Sequence, residues 1–160
     1  MDELARRARD VVDGNRYVVL GTVDDDGRAR TSPVYFTHSD YRDFYWVSSP
    51  DAQHSRNVAA RPRISFVVFD STITPDQGRQ AAVYVDAEAT EVTESDLPTE
   101  CARAFAHLRG DGGRAFGPDE LSGQADLRLY RATATRHQLH VRGGDPTYGR
   151  GVDHRETVEI

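Results

Sequence analysis

Lysine is absent from this chain of 160 residues, so all 20 of its permanently basic side chains are arginines. That absence removes the phosphate-loop lysine of nucleotide-hydrolysing proteins. No Gly-x-Gly-x-x-Gly follows a predicted strand either, so dinucleotide binding has no motif to rest on. Cysteine is nearly absent. The single Cys101 excludes an internal disulfide framework and a cysteine-rich zinc site. Its place in the series Leu97, Cys101, Ala104, Phe105, Leu108 predicts a buried thiol on a helix face rather than a nucleophile. No apolar run approaches the roughly 20 residues that span a bilayer, and the N-terminal MDELARRARD lacks the apolar segment of a signal peptide. Positive charge is in deficit. A net charge of −6 argues against general nucleic-acid binding, which draws on basic surfaces. These absences predict a soluble, cytoplasmic protein with no membrane and no nucleic-acid partner.

What is present suits one globular domain over residues 1–160: 38% apolar and 9% aromatic residues, with no internal repeat and no linker. Asp2 to Asp13 has helical spacing, stopped by Gly14-Asn15. Tyr17 to Val23 and Arg28 to Phe36 read as strands around an Asp-Gly hairpin turn, with Pro33 marking an edge or a bulge. Thr37-His38-Ser39-Asp40 reads as a second hairpin turn leading into Phe44-Tyr45-Trp46-Val47. Ser48-Ser49-Pro50-Asp51 offers helix caps and a proline ahead of a short helix, Ala52 to Ala60, which Pro62 ends. Ile64 to Phe69 is the next strand, and Ser71 to Arg79 is a loop. Ala81 to Val92 alternates as a long strand, Leu97 to Leu108 is a helix broken by Gly110-Asp111-Gly112-Gly113, and Phe116 to Gln124 holds a helical turn. Asp126 to Val141 is the last long strand, and the glycine-rich tail closes at Thr157-Val158. Six or so strands joined mainly by hairpins favour a closed antiparallel barrel, mainly β with peripheral helices.

The chemistry-bearing residues crowd where the Phe44 strand meets the short helix. Hydroxyls, the free N–H groups of a helix start and a cation make a phosphate seat; equally, Ser48 and Ser49 serve only to cap the helix and Arg56 is solvated. Other constellations fail on spacing. His137 and His140 fall on opposite faces of an ideal strand, and His54, His107 and His154 lack metal spacing, so no metal is expected. The acidic turn Asp24 to Gly27 lacks the ligand spacing of a calcium loop. Ser48, His54 and Asp51 have the residue types of a hydrolase triad without the strained elbow around the serine.

A strand ending in small hydroxyl residues, a short basic helix, the turn Arg61-Pro62-Arg63 and a second apolar strand resemble the flavin-binding split-barrel family of pyridoxamine 5'-phosphate oxidase and its relatives. The resemblance runs from about Tyr17 to Val92 and returns weakly in the last strand. It implies a split barrel of the type that binds flavin mononucleotide (FMN), paired as a homodimer, with each cofactor in the groove between chains and covered by the partner's tail. By the same resemblance Ser48, Ser49, His54, Ser55 and Arg56 hold the phosphate end, Ser32, Pro33, Val34 and Val47 line the ring, and Arg155 reaches the ring or substrate. Where the family presents a Lys or Arg to the phosphate, this chain has His54. The implied activity is hydride transfer to or from a small molecule by FMN or, alternatively, by the deazaflavin coenzyme F-420. Two other readings stand beside it: a non-catalytic carrier of haem, a tetrapyrrole or an apolar ligand on the same barrel, and a structural dimer without a working cofactor site.

Overall fold

The computed structural model describes residues 3–74, 77, 82–108 and 113–160. Its elements in chain order are α1 (Glu3–Gly14), β1 (Tyr17–Val23), β2 (Ala29–Tyr35), β3 (Thr37–Ser39), β4 (Asp43–Ser48), α2 (Gln53–Ala60), β5 (Arg63–Phe69), β6 (Ala82–Glu91), α3 (Leu97–Ala104), β7 (Arg128–Val141) and β8 (His154–Val158). A single turn of 3-10 helix, Pro118–Glu120, precedes β7. The strands form one antiparallel sheet in the order β2-β1-β5-β6-β7-β4-β3, with β8 pairing β7.

The two ends of that order are consecutive in the chain. Phe36 alone separates β2, which pairs β1, from β3, which pairs β4. The sheet therefore curls round on itself as a split barrel, joined at one end by the chain and carrying no β2 to β4 ladder at the other. Pro33 lies on β2, the edge strand its missing N–H requires. The hairpin turn between β1 and β2 is made by Gly27, whose φ of +84° suits a residue without Cβ and whose N–H donates to Asp24 O at 2.9 Å.

Strand alternation fills the barrel with Val18, Leu20, Phe44, Trp46, Phe66, Val68, Val83, Val85 and Leu139, all at most 4% exposed, against Leu4, Ala8, Val11 and Val12 of α1. The register of β6 on β7 slips between Asp86 and Ala87, leaving Thr135 as the extra residue of a bulge, so Ala132 before it and Leu139 after it both point inward. A second apolar cluster lies on the outer side of β4 and β7, where Tyr45 and Leu129 meet Leu97, Cys101 and Ala104 of α3. Cys101 is 6% exposed, and burial pushes its thiol pKa up, as befits a core residue. Glu100 fastens this layer: it accepts from Tyr45 OH at 2.6 Å and pairs with Arg131 at 3.1 Å.

Four local expectations change. Thr37 to Ser39 is a strand rather than a turn; the turn is Asp40 to Arg42, where Asp40 (φ +53°) and Tyr41 (φ +54°) adopt left-handed conformations that a tyrosine does not advertise. The cap of α2 is Ala52, with no side-chain cap bond, and Ser49 to Ala52 form a separate turn before the helix, closed by Ala52 N–H donating to Ser49 O at 3.1 Å. Helix α3 ends at Ala104, four residues early; the expected glycine break at 110–112 lies outside the described residues, as do Asp2, Ala81 and most of 75–80. The tail pairs as a strand from His154, not only at Thr157-Val158.

Candidate functional site

The end of β4 and the start of α2 are bound together by side chains. Ser48 Oγ and His54 Nε2 are 2.8 Å apart. Ser55 Oγ donates to Ser49 O at 2.7 Å, and Asp51 N–H donates to Ser49 Oγ at 3.1 Å. Arg56 is exposed and folds back over the first turn, donating to Gln53 Oε1 at 2.6 Å and to Asp51 O. The first-turn N–H groups of α2 have no intrahelical acceptors, so the turn presents N–H donors, hydroxyls and one guanidinium on one small surface. Burial alone pushes the His54 pKa down, leaving the ring predominantly neutral near pH 7.

The other half of α2 is anchored across the barrel mouth. Asn57, 2% exposed, donates from Nδ2 to Thr22 Oγ1 at 3.0 Å and to Asp24 Oδ1 at 2.7 Å, and Arg30 of β2 grips Asp24 through Nε and Nη2 at 2.7–3.1 Å. The Arg30 and Asn57 bonds hold the Asp24 carboxyl at a pKa of about 2. Helix α2 thus bridges the end of β4 to the β1–β2 hairpin. Beneath it, Trp46 stacks on Tyr130 with ring centres 5.6 Å apart, and Trp46 Nε1 is buried with no hydrogen-bond partner. Burial also raises the Tyr130 pKa.

The residues expected to bind a cofactor fall into four groups. Ser48, Ser49, His54, Ser55 and Arg56 come together at this turn. Ser32, Pro33 and Val34 lie on the edge strand β2: Val34 turns into the core at 9% exposure, and Pro33 faces out opposite Val19. Val47 packs against the outer cluster under α3, on the other face from Ser48. Arg155 does not meet the turn within one chain. It sits on β8 opposite His140 while Ser48 is opposite Arg128, so on the order of 35–40 Å of β7 separates the two levels. Its guanidinium lies 3.5 Å from the centre of the Tyr84 ring. Sequence reasoning passed over Trp46, Tyr130 and Asn57. The first two look like ordinary strand aromatics, and an asparagine inside a helix gives no local hint of partners 33 and 35 residues away.

A curled antiparallel sheet, split between β2 and β4 and bridged by a short polar helix, is a split barrel. The family model described as pyridoxamine 5'-phosphate oxidase matches residues 4–140, and the chain belongs to that family. Similar solved structures include a heme binding protein from Mycobacterium smegmatis (17% identity, TM-score 0.68, 98% of this chain). They also include a FAD-binding protein from Mesorhizobium loti (22% identity, TM-score 0.60, 83% of this chain and 91% of that one) and an F420 Reductase (21% identity, TM-score 0.52, 76% and 87%). This chain spans 59% of the length of the Mycobacterium protein. At these identities the likeness is one of fold. A comparison with curated proteins finds no match. Among the described residues no helix is long and apolar enough to cross a membrane.

Proposed function

We propose that the protein is an oxidoreductase of the pyridoxamine 5'-phosphate oxidase type, in which two copies hold FMN, or alternatively the deazaflavin coenzyme F-420, between them. The observation that carries the reading is the turn itself: Ser48, Ser49, His54, Ser55 and Arg56 converge there, where N–H groups at the start of α2 lack intrahelical partners. This donor set fits the phosphate end of a flavin. The residues around it have matching tasks. Arg56 supplies charge, Ser48 and Ser49 orient phosphate oxygens while Ser55, its hydroxyl given to Ser49 O, braces the turn, and the edge of β2 at Ser32 and Pro33 lies beside the ring. When bound, the flavin or deazaflavin supplies the hydride chemistry towards a small-molecule substrate.

Pairing rests on the outer face of the barrel. Pro33, Val19, Val67 and Tyr84 stand in register across β2, β1, β5 and β6, and Tyr17 and Phe69 on the same sheet are 60% and 46% exposed. An apolar row of this kind is covered when a second copy docks. Arg155, remote from the turn of its own chain, then serves the site of the other copy.

A second reading, a haem carrier, has a specific observation in its favour. The Mycobacterium heme binding protein shares the fold over 98% of this chain, and His54 is a half-buried imidazole kept neutral by its surroundings, the form that ligates iron. Absorbance of the purified protein, followed by mass spectrometry of the released ligand, separates the two. A band near about 450 nm or about 420 nm with a flavin or deazaflavin mass supports the oxidoreductase, and a Soret band with a haem mass supports the carrier. Protein that neither carries nor takes up any of the three contradicts both.

A further inference from the structure

At the far end of β4 from Ser48, the hairpin between β3 and β4 turns through two consecutive residues of positive φ, Asp40 (+53°) and Tyr41 (+54°). Arg42 N–H closes the turn by donating to Ser39 O at 3.1 Å. Two left-handed residues in a row make the tight hairpin turn for which Asn-Gly is the favoured pair. A tyrosine in that place is strained, and it stays only where its surroundings hold it.

Two imidazoles hold the Tyr41 backbone. Its N–H donates to His38 Nδ1 at 3.3 Å, and His137 Nε2 lies 2.8 Å from its carbonyl oxygen. The side chain is held too: its OH donates to Asp13 Oδ2 of α1 at 2.8 Å, and its ring stacks on His38 with centres 4.5 Å apart. His38 Nε2 in turn lies 3.1 Å from Asp13 Oδ1. A carboxylate only accepts, so the ring proton sits on Nε2, and Nδ1 keeps the lone pair that receives the Tyr41 N–H. Only the neutral ring can do both. A second proton, on Nδ1, sets a donor against a donor, whereas His137 donates to its carbonyl in either charge state.

We propose that His38 is an acid-released latch: neutral, it locks the turn at Asp40 and Tyr41 in its left-handed form, and protonated it gives up the Tyr41 N–H and the turn opens. Charges reach the latch from several elements. Asp13 of α1 and Asp40 of the turn favour a charged His38, and Asp10 of α1 adds to the field at Tyr41. His107 opposes it, as does Arg9 of α1, whose guanidinium lies 5.3 Å from the centre of the Tyr41 ring. Arg16 donates to the carbonyls of Asp13 and Asn15, Arg103 of α3 is turned to Asp43 and Glu100, and Glu159 acts on His137. Burial outweighs the acids and pushes the His38 pKa down, so the lock is intact above about pH 6.5 and is lost as pH falls. A cavity of about 310 Å³ bordered by Asp13, His38, Asp40 and Tyr41 gives the released turn room to move.

Nuclear magnetic resonance of the full chain labelled with nitrogen-15 tests the latch. The His38 ring carries its proton on Nε2 at neutral pH. Hydrogen-exchange protection, corrected for the intrinsic rate, falls at least about tenfold at the Tyr41 amide between about pH 7.5 and 5.5, while the Val85 amide of the core keeps its own. The Ala134 amide, which donates to Arg42 O at 2.8 Å, falls with Tyr41. In His38→Asn the side-chain oxygen accepts in place of Nδ1 at every pH, so Tyr41 protection stays within about twofold. Tyr41→Gly relieves the strain, and the acid loss at Ala134 disappears, which keeps the test open should His38→Asn fail to fold. His137→Gln keeps a donor to the carbonyl and retains the wild-type pH dependence. Equal wild-type protection at both pH values, a fall shared equally by Val85, a neutral His38 with its proton on Nδ1, or an acid loss that survives in the folded variants overturns the proposal.

Discussion

Ser48 Oγ and His54 Nε2 lie 2.8 Å apart, tying the last residue of β4 to the first turn of α2. In the proposed function this contact puts an imidazole at the phosphate seat, whose electrostatics then depend on a ring whose pKa is pushed down by burial alone.

A bound phosphate reverses that direction, because the dianion stabilises the protonated ring. Binding then takes up a proton, and affinity for the cofactor falls as pH rises through the histidine range. Fluorescence titration between about pH 5.5 and 8 shows a slope in the wild type and none in His54→Ala. A flat wild-type profile makes His54 a neutral donor or a bystander.

Three histidines, His38, His54 and His137, have pKa values lowered by burial. A histidine whose folded pKa lies below its unfolded value contributes stability that is intact above about pH 6.5 and is lost as pH falls below it. Asp24, depressed to about 2, keeps its contribution until the pH drops below the ordinary carboxylate value of 3.8. Urea midpoints therefore decline from pH 7 to pH 5, well before the Asp24 cluster is protonated. A midpoint that rises towards pH 5 contradicts this assignment.

Asn57→Ala removes two buried bonds and leaves Thr22 and Asp24 without their shared donor. A loss of about 1–3 kcal/mol in unfolding free energy is expected, measured by denaturant titration. Because Asn57 anchors α2 over the barrel mouth, cofactor affinity falls in the same variant while the thermal transition remains cooperative.

The barrel was legible because aromatic and β-branched runs such as Ile64 to Phe69 alternate in and out over their whole length. The cluster at Ser48 to Arg56 was legible as well, since its polar residues are close in sequence. What stayed hidden depends on distant partners. The anchoring of Asn57 to Asp24 joins α2 to the β1–β2 hairpin, and the left-handed turn at Asp40 and Tyr41 is held by His38 and by His137, whose Nε2 lies 2.8 Å from Tyr41 O. The cap of α2 was misplaced for a related reason: Ser49 spends its hydroxyl on Asp51 and its carbonyl on Ser55, leaving Ala52 at the helix start.

Phe69→Asp places a charge on the outer face of β5 at a side chain that is 46% exposed and outside the barrel core. If that face pairs two copies, light scattering gives a dimer for the wild type at micromolar concentration and a monomer for the variant, with unchanged circular dichroism. A wild type that is already monomeric removes the shared cofactor groove.

The central claim is that the turn joining β4 to α2 seats a cofactor phosphate, and separate titrations of FMN and coenzyme F-420 into wild type, Arg56→Ala and His54→Ala test it most directly. Arg56→Ala is expected to weaken the preferred cofactor by about 1.5–3 kcal/mol, with a smaller loss at high salt where the wild-type contact is already screened. Equal affinities across all three proteins would contradict the claim and remove the phosphate from this turn.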